Sequence, residues 1–166
     1  GAGVFVSYRK DDDPGWAGRV RDSLAHHFGD DNVFFDVNSI RAGQRWEMRL
    51  DSALIQSQSV ILIVGPRWLR CIQERTARPE IDYHLRELTM ALDRGIPVNP
   101  VRVHSAAMPD LADLPEELRA RLPAVQWMEV YEDLFAASMQ RIIADIEHST
   151  GLISPTAYLP DHVVLS

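Results

Sequence analysis

Short apolar runs alternate along the chain with stretches in which apolar residues recur every three or four positions. The runs predict β-strands and the recurring positions predict amphipathic helices. Strands are predicted at residues 4–8, 33–35, 60–64, 96–103 and 125–128, and helices at 14–28, 46–54, 79–95 and 135–146. This alternation predicts an α/β fold in which five parallel strands are covered by helices on both faces.

The periodic pattern has two interruptions that bear on domain organisation. Residues 67–78 are mostly polar and predict a long connection without regular structure. Residues 151–166 contain two prolines and no period, so we expect one domain at 1–150 and a tail or linker at 151–166. The chain starts at Gly1 without an initiator Met, which leads us to expect a missing fused or partner domain.

Composition and charge exclude several classes of function. The net charge is −7 and Lys10 is the only lysine, so direct binding to nucleic acid is not expected. Cys71 is the only cysteine, which fits a reducing, cytoplasmic setting. The longest apolar run, at 60–64, is too short to span a membrane. The histidines lack the spacing of metal ligands, so no metal site is expected.

In a parallel α/β sheet, ligands bind at the carboxyl ends of the strands. This rule places Tyr8, Asp36 and Gly65 near the mouth of a cleft. The residues from Ser7 to Asp11 form neither a GxGxxG fingerprint nor a P-loop, so a dinucleotide-binding Rossmann domain or a P-loop NTPase is not expected.

Five segments, taken in order, resemble the conserved boxes of Toll/interleukin-1 receptor (TIR) domains. They are VFVSYR at 4–9; FDV at 35–37 with IRAG at 40–43; IVGPRWL at 63–69; EL at 87–88 with AL at 91–92 and RGIPV at 94–98; and QW at 126–127. The resemblance runs from about Val4 to about Glu147. It implies a flavodoxin-like TIR fold.

One further detail resembles the bacterial, NAD⁺-cleaving kind of TIR domain. Those enzymes carry a glutamate on the third helix with an aromatic residue, usually Trp, four positions earlier. Here the pair is Tyr83 and Glu87, which share one face of a helix because they are four residues apart. The resemblance implies that Glu87 is the catalytic carboxylate. The apolar stripe Ile81, Leu85, Leu88 and Leu92 predicts the core face of the same helix.

The residue types suit cleavage of the nicotinamide–ribose bond. Nicotinamide leaves NAD⁺ as a neutral molecule, so one carboxylate can hold the ribose and stabilise the developing cation. The substrate-binding candidates are three aromatic residues, Tyr8, Trp46 and Tyr83, and two arginines, Arg9 and Arg41, of which Arg9 could meet a phosphate bidentately. NAD⁺ is the substrate and no cofactor is expected. Free ADP-ribose, from an NAD⁺ glycohydrolase, and a cyclic isomer, from an ADP-ribosyl cyclase, both remain open as products.

Each candidate also has a purely structural interpretation. Glu87 and Tyr83 could cover a solvated helix face, Tyr8 and Trp46 could pack in the core, and Arg9 could pair with Asp11 or Asp12. Whole-protein alternatives are a non-catalytic TIR adaptor that acts by self-association and a nucleoside deoxyribosyltransferase-like enzyme. The resemblance implies self-association through the BB loop, from Ser39 to Arg45, and a role in anti-phage defence or cell-suicide signalling.

Overall fold

A five-stranded parallel sheet forms the centre of the protein, in a computed structural model that describes residues 3–35 and 43–151. Its strands lie in the order β2-β1-β3-β4-β5, and every neighbouring pair is parallel. The strands are β1 (Gly3–Ser7), β2 (Val33–Phe34), β3 (Ser57–Val64), β4 (Val98–Arg102) and β5 (Met128–Glu129). This is the flavodoxin-like order that the sequence predicted.

Helices cover both faces of the sheet. They are α1 (Pro14–Phe28), α2 (Gly43–Gln56), α3 (Trp68–Thr76), α4 (Tyr83–Asp93), α5 (Glu116–Arg119) and α6 (Phe135–Thr150). Helices α1 and α6 pack with Val4, Val6 and Tyr8 in one apolar cluster. Helices α2 to α5 pack in a second cluster that contains Phe5 and Leu62. Since side chains alternate along a strand, Ser7 of β1 must point toward the second cluster.

The sequence prediction is wrong at three helix positions. Residues 67–78 contain α3, whose buried face consists of Trp68, Cys71 and Ile72. Helix α4 starts at Tyr83, with Asp82 as its N-cap, and not at Pro79. Helix α2 starts at Gly43, inside the segment predicted as loop.

Capping residues mark the start of the first helix, α1, and the end of the last helix, α6. The Asp13 carboxylate accepts the Trp16 amide, 3.3 Å away, and Pro14 occupies the first turn of α1, so the helix begins at the predicted residue 14. Helix α6 ends at Gly151, which has a φ of 75° that favours glycine. The predicted tail beyond it, residues 152–166, lies outside the described residues.

Candidate functional site

The sheet reverses its strand order between β1 and β3, and this is where an open α/β sheet forms its ligand crevice. Strand β1 ends at Ser7 and β3 ends at Val64, so both strands deliver their carboxyl ends to this point. Helix α4 contacts β1 from the side of the second apolar cluster. The crevice is therefore the place where α4 side chains meet the end of β1.

Glu87 is held at this crevice by a hydroxyl group. The Ser7 hydroxyl donates a hydrogen bond to Glu87 Oε2 over 2.9 Å, and only 3% of Glu87 is exposed. The bond joins residues 80 positions apart in sequence, so it forms only in the folded domain. The solvated-face alternative for Glu87 does not fit this burial.

The buried face of α4 differs from the predicted stripe. It consists of His84, Glu87, Leu88 and Ala91, so Glu87 lies on the core side of the helix. The prediction is wrong for Ile81, which precedes the helix and is 50% exposed. A carboxylate on the core face interrupts the apolar pattern that would otherwise mark that face.

Two of the aromatic candidates pack against each other. The rings of Trp46 and Tyr83 meet edge to face, with centroids 4.6 Å apart and planes at 62°. Trp46 is buried in the second apolar cluster, whereas Tyr83 is partly exposed one turn before Glu87. The structure therefore brings Trp46, Tyr83 and Glu87 into one region, with Trp46 packed as a core residue.

Tyr8 lies apart from these rings. It is buried in the apolar cluster formed with α1 and α6, and its ring stacks on Phe35 at a centroid distance of 4.6 Å. Tyr8 directly follows the last residue of β1 and packs in the same cluster as Val4 and Val6, so its side chain lies on the face of the sheet opposite to Ser7. Tyr8 therefore packs in a different cluster from Trp46 and Tyr83.

Arg9 forms a buried ion pair with Asp82, and both side chains are more than nine-tenths buried. The partner is Asp82 and not Asp11 or Asp12, which the sequence suggested. Asp82 also caps α4 by accepting the Leu85 amide at 3.3 Å. The pair therefore fastens the first turn of α4 to the chain that follows β1.

Arg41 and most of the predicted BB loop lie outside the described residues, as does Asp36. The described end of the loop is Arg45, which is exposed in the first turn of α2. The substrate-binding role of Arg41 stays a prediction.

Asp12 is a further buried acid at this edge, and sequence reasoning missed its role. Its carboxylate accepts the amides of Gly65 at 2.7 Å and Arg67 at 2.8 Å, and the Arg67 guanidinium donates to the Asp12 carbonyl at 2.6 Å. Burial raises the pKa of the Asp12 carboxyl, and the amides of Arg67 and Gly65 partly offset that effect. The run Asp11–Asp13 looks like a solvated acidic stretch, so no sequence signal marked Asp12.

His84 was also missed, because an isolated histidine without ligand spacing predicts a structural residue. It lies between Ser7 and Trp68 and is buried. Among the residues that the structure describes, no group of three or more His, Cys, Asp and Glu side chains is arranged to hold a metal ion. In the same described ranges, no helix is long and apolar enough to cross a membrane.

The sequence profile of the TIR domain matches residues 4–143, which is most of the chain. The chain belongs to the TIR domain family. The match includes the ends of β1 and β3 and all of α4, so the Ser7–Glu87 contact lies inside the shared domain. No curated protein matches the sequence.

Two solved structures share the fold of this TIR domain. One is a metazoan TIR-STING receptor from C. gigas in complex with 2′,3′-cGAMP, with a TM-score of 0.52 and 22% identity over 84% of this chain. The other is the TIR domains of the activated Roq1 resistosome, which directly recognizes the pathogen effector XopQ, with a TM-score of 0.57 and 15% identity over 88% of this chain and 99% of the other. The chain spans 38% of the length of the TIR-STING receptor.

Proposed function

We propose that this TIR domain is an NAD⁺ nucleosidase in which Glu87 is the catalytic carboxylate. The observation that carries the proposal is the hydrogen bond from Ser7 to Glu87 at the carboxyl edge of the sheet, beside the partly exposed ring of Tyr83. A carboxylate held in a fixed geometry stabilises a developing positive charge better than one that must reorganise. No cofactor is required.

The chemistry fits a single carboxylate. The nicotinamide of NAD⁺ is already a pyridinium, so it departs as a neutral molecule and needs no proton from a general acid. This differs from ordinary glycoside hydrolysis, which uses a pair of carboxyl groups. Glu87 would hold the ribose hydroxyls and face the oxocarbenium-like cation, while Tyr83 would offer its ring face to the base.

The structure adds one main requirement for catalysis, which is that NAD⁺ must gain access to Glu87. With 3% of Glu87 exposed and Trp46 packed against Tyr83, NAD⁺ reaches the carboxylate only when neighbouring groups move. We infer that the isolated domain is a low-activity form. A partner that shifts these groups would raise turnover without supplying a catalytic residue.

The arginine candidates differ in their support. Arg9 is already neutralised by Asp82, so it would bind a phosphate only by giving up that buried partner. The ion pair with Asp82 favours a structural role for Arg9, in which it orients α4. A substrate-binding role for Arg41 remains a proposal that rests on the resemblance alone.

We also propose that self-association through the BB loop activates the enzyme. A contact between the loop of one protomer and a different surface of the next is heterologous, so it generates rings or open filaments. The two similar structures are described as a receptor and as a resistosome that recognizes a pathogen effector, which supports the proposed role in immune signalling. Anti-phage defence or cell-suicide signalling in the cytoplasm is the finer form of this proposal.

Specific activity is expected to rise steeply with protein concentration, and Arg45→Glu is expected to remove that rise. Arg45 is exposed in the first turn of α2, where a positive charge opposes the helix dipole, so the reversed charge should not weaken the helix. The measurement is nicotinamide release from NAD⁺ over a ~100-fold concentration range, paired with light scattering. The expected loss of specific activity is about tenfold, which corresponds to a coupling free energy of about 1.4 kcal/mol between self-association and turnover.

Arg141→Glu is the matched control, because Arg141 is exposed on α6, across the sheet from α2. It carries the same charge reversal and should behave as the wild type. A flat specific activity in a protein that stays monomeric would contradict activation by self-association. Self-association without any nicotinamide release would favour the adaptor alternative.

A further inference from the structure

A buried chain of hydrogen bonds runs from α3 through α4 to the end of β1 and back to Glu87. The Trp68 indole N–H lies 3.0 Å from His84 Nε2, His84 Nδ1 lies 3.1 Å from Ser7 Oγ, and Ser7 Oγ lies 2.9 Å from Glu87 Oε2. All four residues are buried. Trp68, at the start of this chain of hydrogen bonds, is therefore connected to Glu87 through the side chains of His84 and Ser7.

The tautomer of His84 follows from its partner. An indole N–H can only donate, so His84 Nε2 must carry a lone pair and accept that hydrogen. Burial first, and then the positive charge of Arg9, lower the pKa of His84 well below its ordinary value, while a hydrogen bond with the Tyr8 main chain acts in the opposite direction. The ring is therefore neutral at physiological pH, and its single proton is on Nδ1.

This tautomer sets the direction of the next two bonds. His84 Nδ1–H, which also has the Tyr8 main chain as a partner, can donate to Ser7 Oγ 3.1 Å away, so the Ser7 hydroxyl hydrogen is free to point at Glu87 Oε2. With the proton on Nε2 instead, Nδ1 would accept from Ser7, and Oγ would turn its lone pairs toward the carboxylate. Two oxygens 2.9 Å apart without a hydrogen between them repel each other.

We infer that His84 is a positioning residue for Glu87: the donor-only indole of Trp68 fixes its tautomer, and the tautomer aims the Ser7 hydroxyl at the carboxylate. The inference rests on the proposed function of Glu87. In this account, Trp68 of α3 fixes one end of the chain of hydrogen bonds. The role predicts an effect mainly on kcat, because Glu87 faces the cation that develops in the transition state, while the other NAD⁺-binding candidates are unchanged.

Two substitutions of similar size separate hydrogen bonding from packing. His84→Leu removes both ring nitrogens, whereas His84→Asn keeps an N–H near the place of Nδ1 that can donate to Ser7. We expect kcat for NAD⁺ to fall about tenfold in His84→Leu, with KM within about twofold, and to recover most of that loss in His84→Asn. The control His26→Leu, at an exposed position of α1, should match the wild type.

A second readout does not depend on turnover. Long-range ¹H–¹⁵N correlation spectra of the wild-type domain should show a protonated Nδ1 and a bare Nε2 on His84. In Trp68→Phe, which keeps an aromatic ring and removes the donor, the Nε2-protonated form should appear and kcat should fall. Urea unfolding curves for every variant identify those that have lost stability as well as activity.

The outcomes separate the two claims. Equal losses in His84→Leu and His84→Asn, or a loss confined to KM, would overturn the positioning role, as would a wild-type His84 protonated on Nε2. A wild-type protein that cleaves NAD⁺ while His84→Leu retains full kcat would overturn the positioning role alone. A wild-type protein with no turnover would overturn the proposed function and the positioning role with it.

Discussion

Glu87→Gln is expected to lower nicotinamide release from NAD⁺ at least ~10²-fold, the scale of losing one preorganised electrostatic contact in a transition state. The amide keeps the length and shape of the side chain, and its oxygen can still accept the Ser7 hydroxyl. What it loses is the negative charge opposite the ribosyl cation. The measurement is steady-state turnover by chromatography at a protein concentration where the wild type is active.

The burial of Glu87 requires a folding control for this result. Because Glu87 lies on the core side of α4, circular dichroism and a urea midpoint must show that Glu87→Gln stays folded. Glu80→Gln is the matched variant, since it makes the same chemical change at an exposed position just before α4. Wild-type turnover in folded Glu87→Gln would remove Glu87 from the catalytic role.

Asp12→Ala is expected to lower the free energy of unfolding by about 2–4 kcal/mol. The substitution leaves the amides of Gly65 and Arg67 without their acceptor in a buried place. Each lost bond to a charged acceptor costs about 1.5–3 kcal/mol, and relief from burying the carboxylate offsets part of the total. Urea unfolding measures the change through the shift in midpoint.

The same contact explains why the effect should spread to the site. Arg67 is the residue before α3, so Asp12 fixes the start of the helix that carries Trp68 toward His84. Loss of the acceptor should therefore loosen α3 as well as the turn after β3. Asp12 joins these elements across 53 to 55 residues of sequence.

Two further variants test this assignment. Asp11→Ala removes a neighbouring exposed carboxylate and should change stability by less than about 0.5 kcal/mol. Gly65→Ala disrupts the same contact sterically, because an added Cβ would lie 2.6 Å from Asp12 Oδ2 and displace the carboxylate. Stability in Asp12→Ala equal to that of Asp11→Ala would show that water replaces the carboxylate and that the contact is dispensable.

The fold was predictable because the strands bury both faces. The continuous apolar run at 60–64 lies within β3, and the alternation of strands with helices determined the parallel sheet. Helix α3 was not predictable from its pattern, because only Trp68, Cys71 and Ile72 are buried and the other six residues of the helix are mostly polar. One short turn of apolar contact does not separate a helix from a polar loop.

The site was only partly predictable. The spacing of Tyr83 and Glu87 put them on one helix face, but the same spacing could not say which face is buried. The prediction from Ile81, Leu85 and Leu88 assumed that the core side is apolar throughout. His84 and Glu87 break that assumption because Ser7 and Trp68, from distant parts of the sequence, supply the hydrogen bonds that burial requires.

Product analysis of NAD⁺ and NADH side by side tests the central claim most directly. The dihydronicotinamide of NADH would leave as an anion unless a general acid protonated it, whereas the nicotinamide of NAD⁺ leaves neutral. A site with one catalytic carboxylate and no general acid should convert NAD⁺ into nicotinamide and an equal molar amount of ADP-ribose product, whether linear or cyclic. It should leave NADH intact. No nicotinamide from NAD⁺ at concentrations where the protein self-associates, or equal cleavage of NADH, would contradict the account.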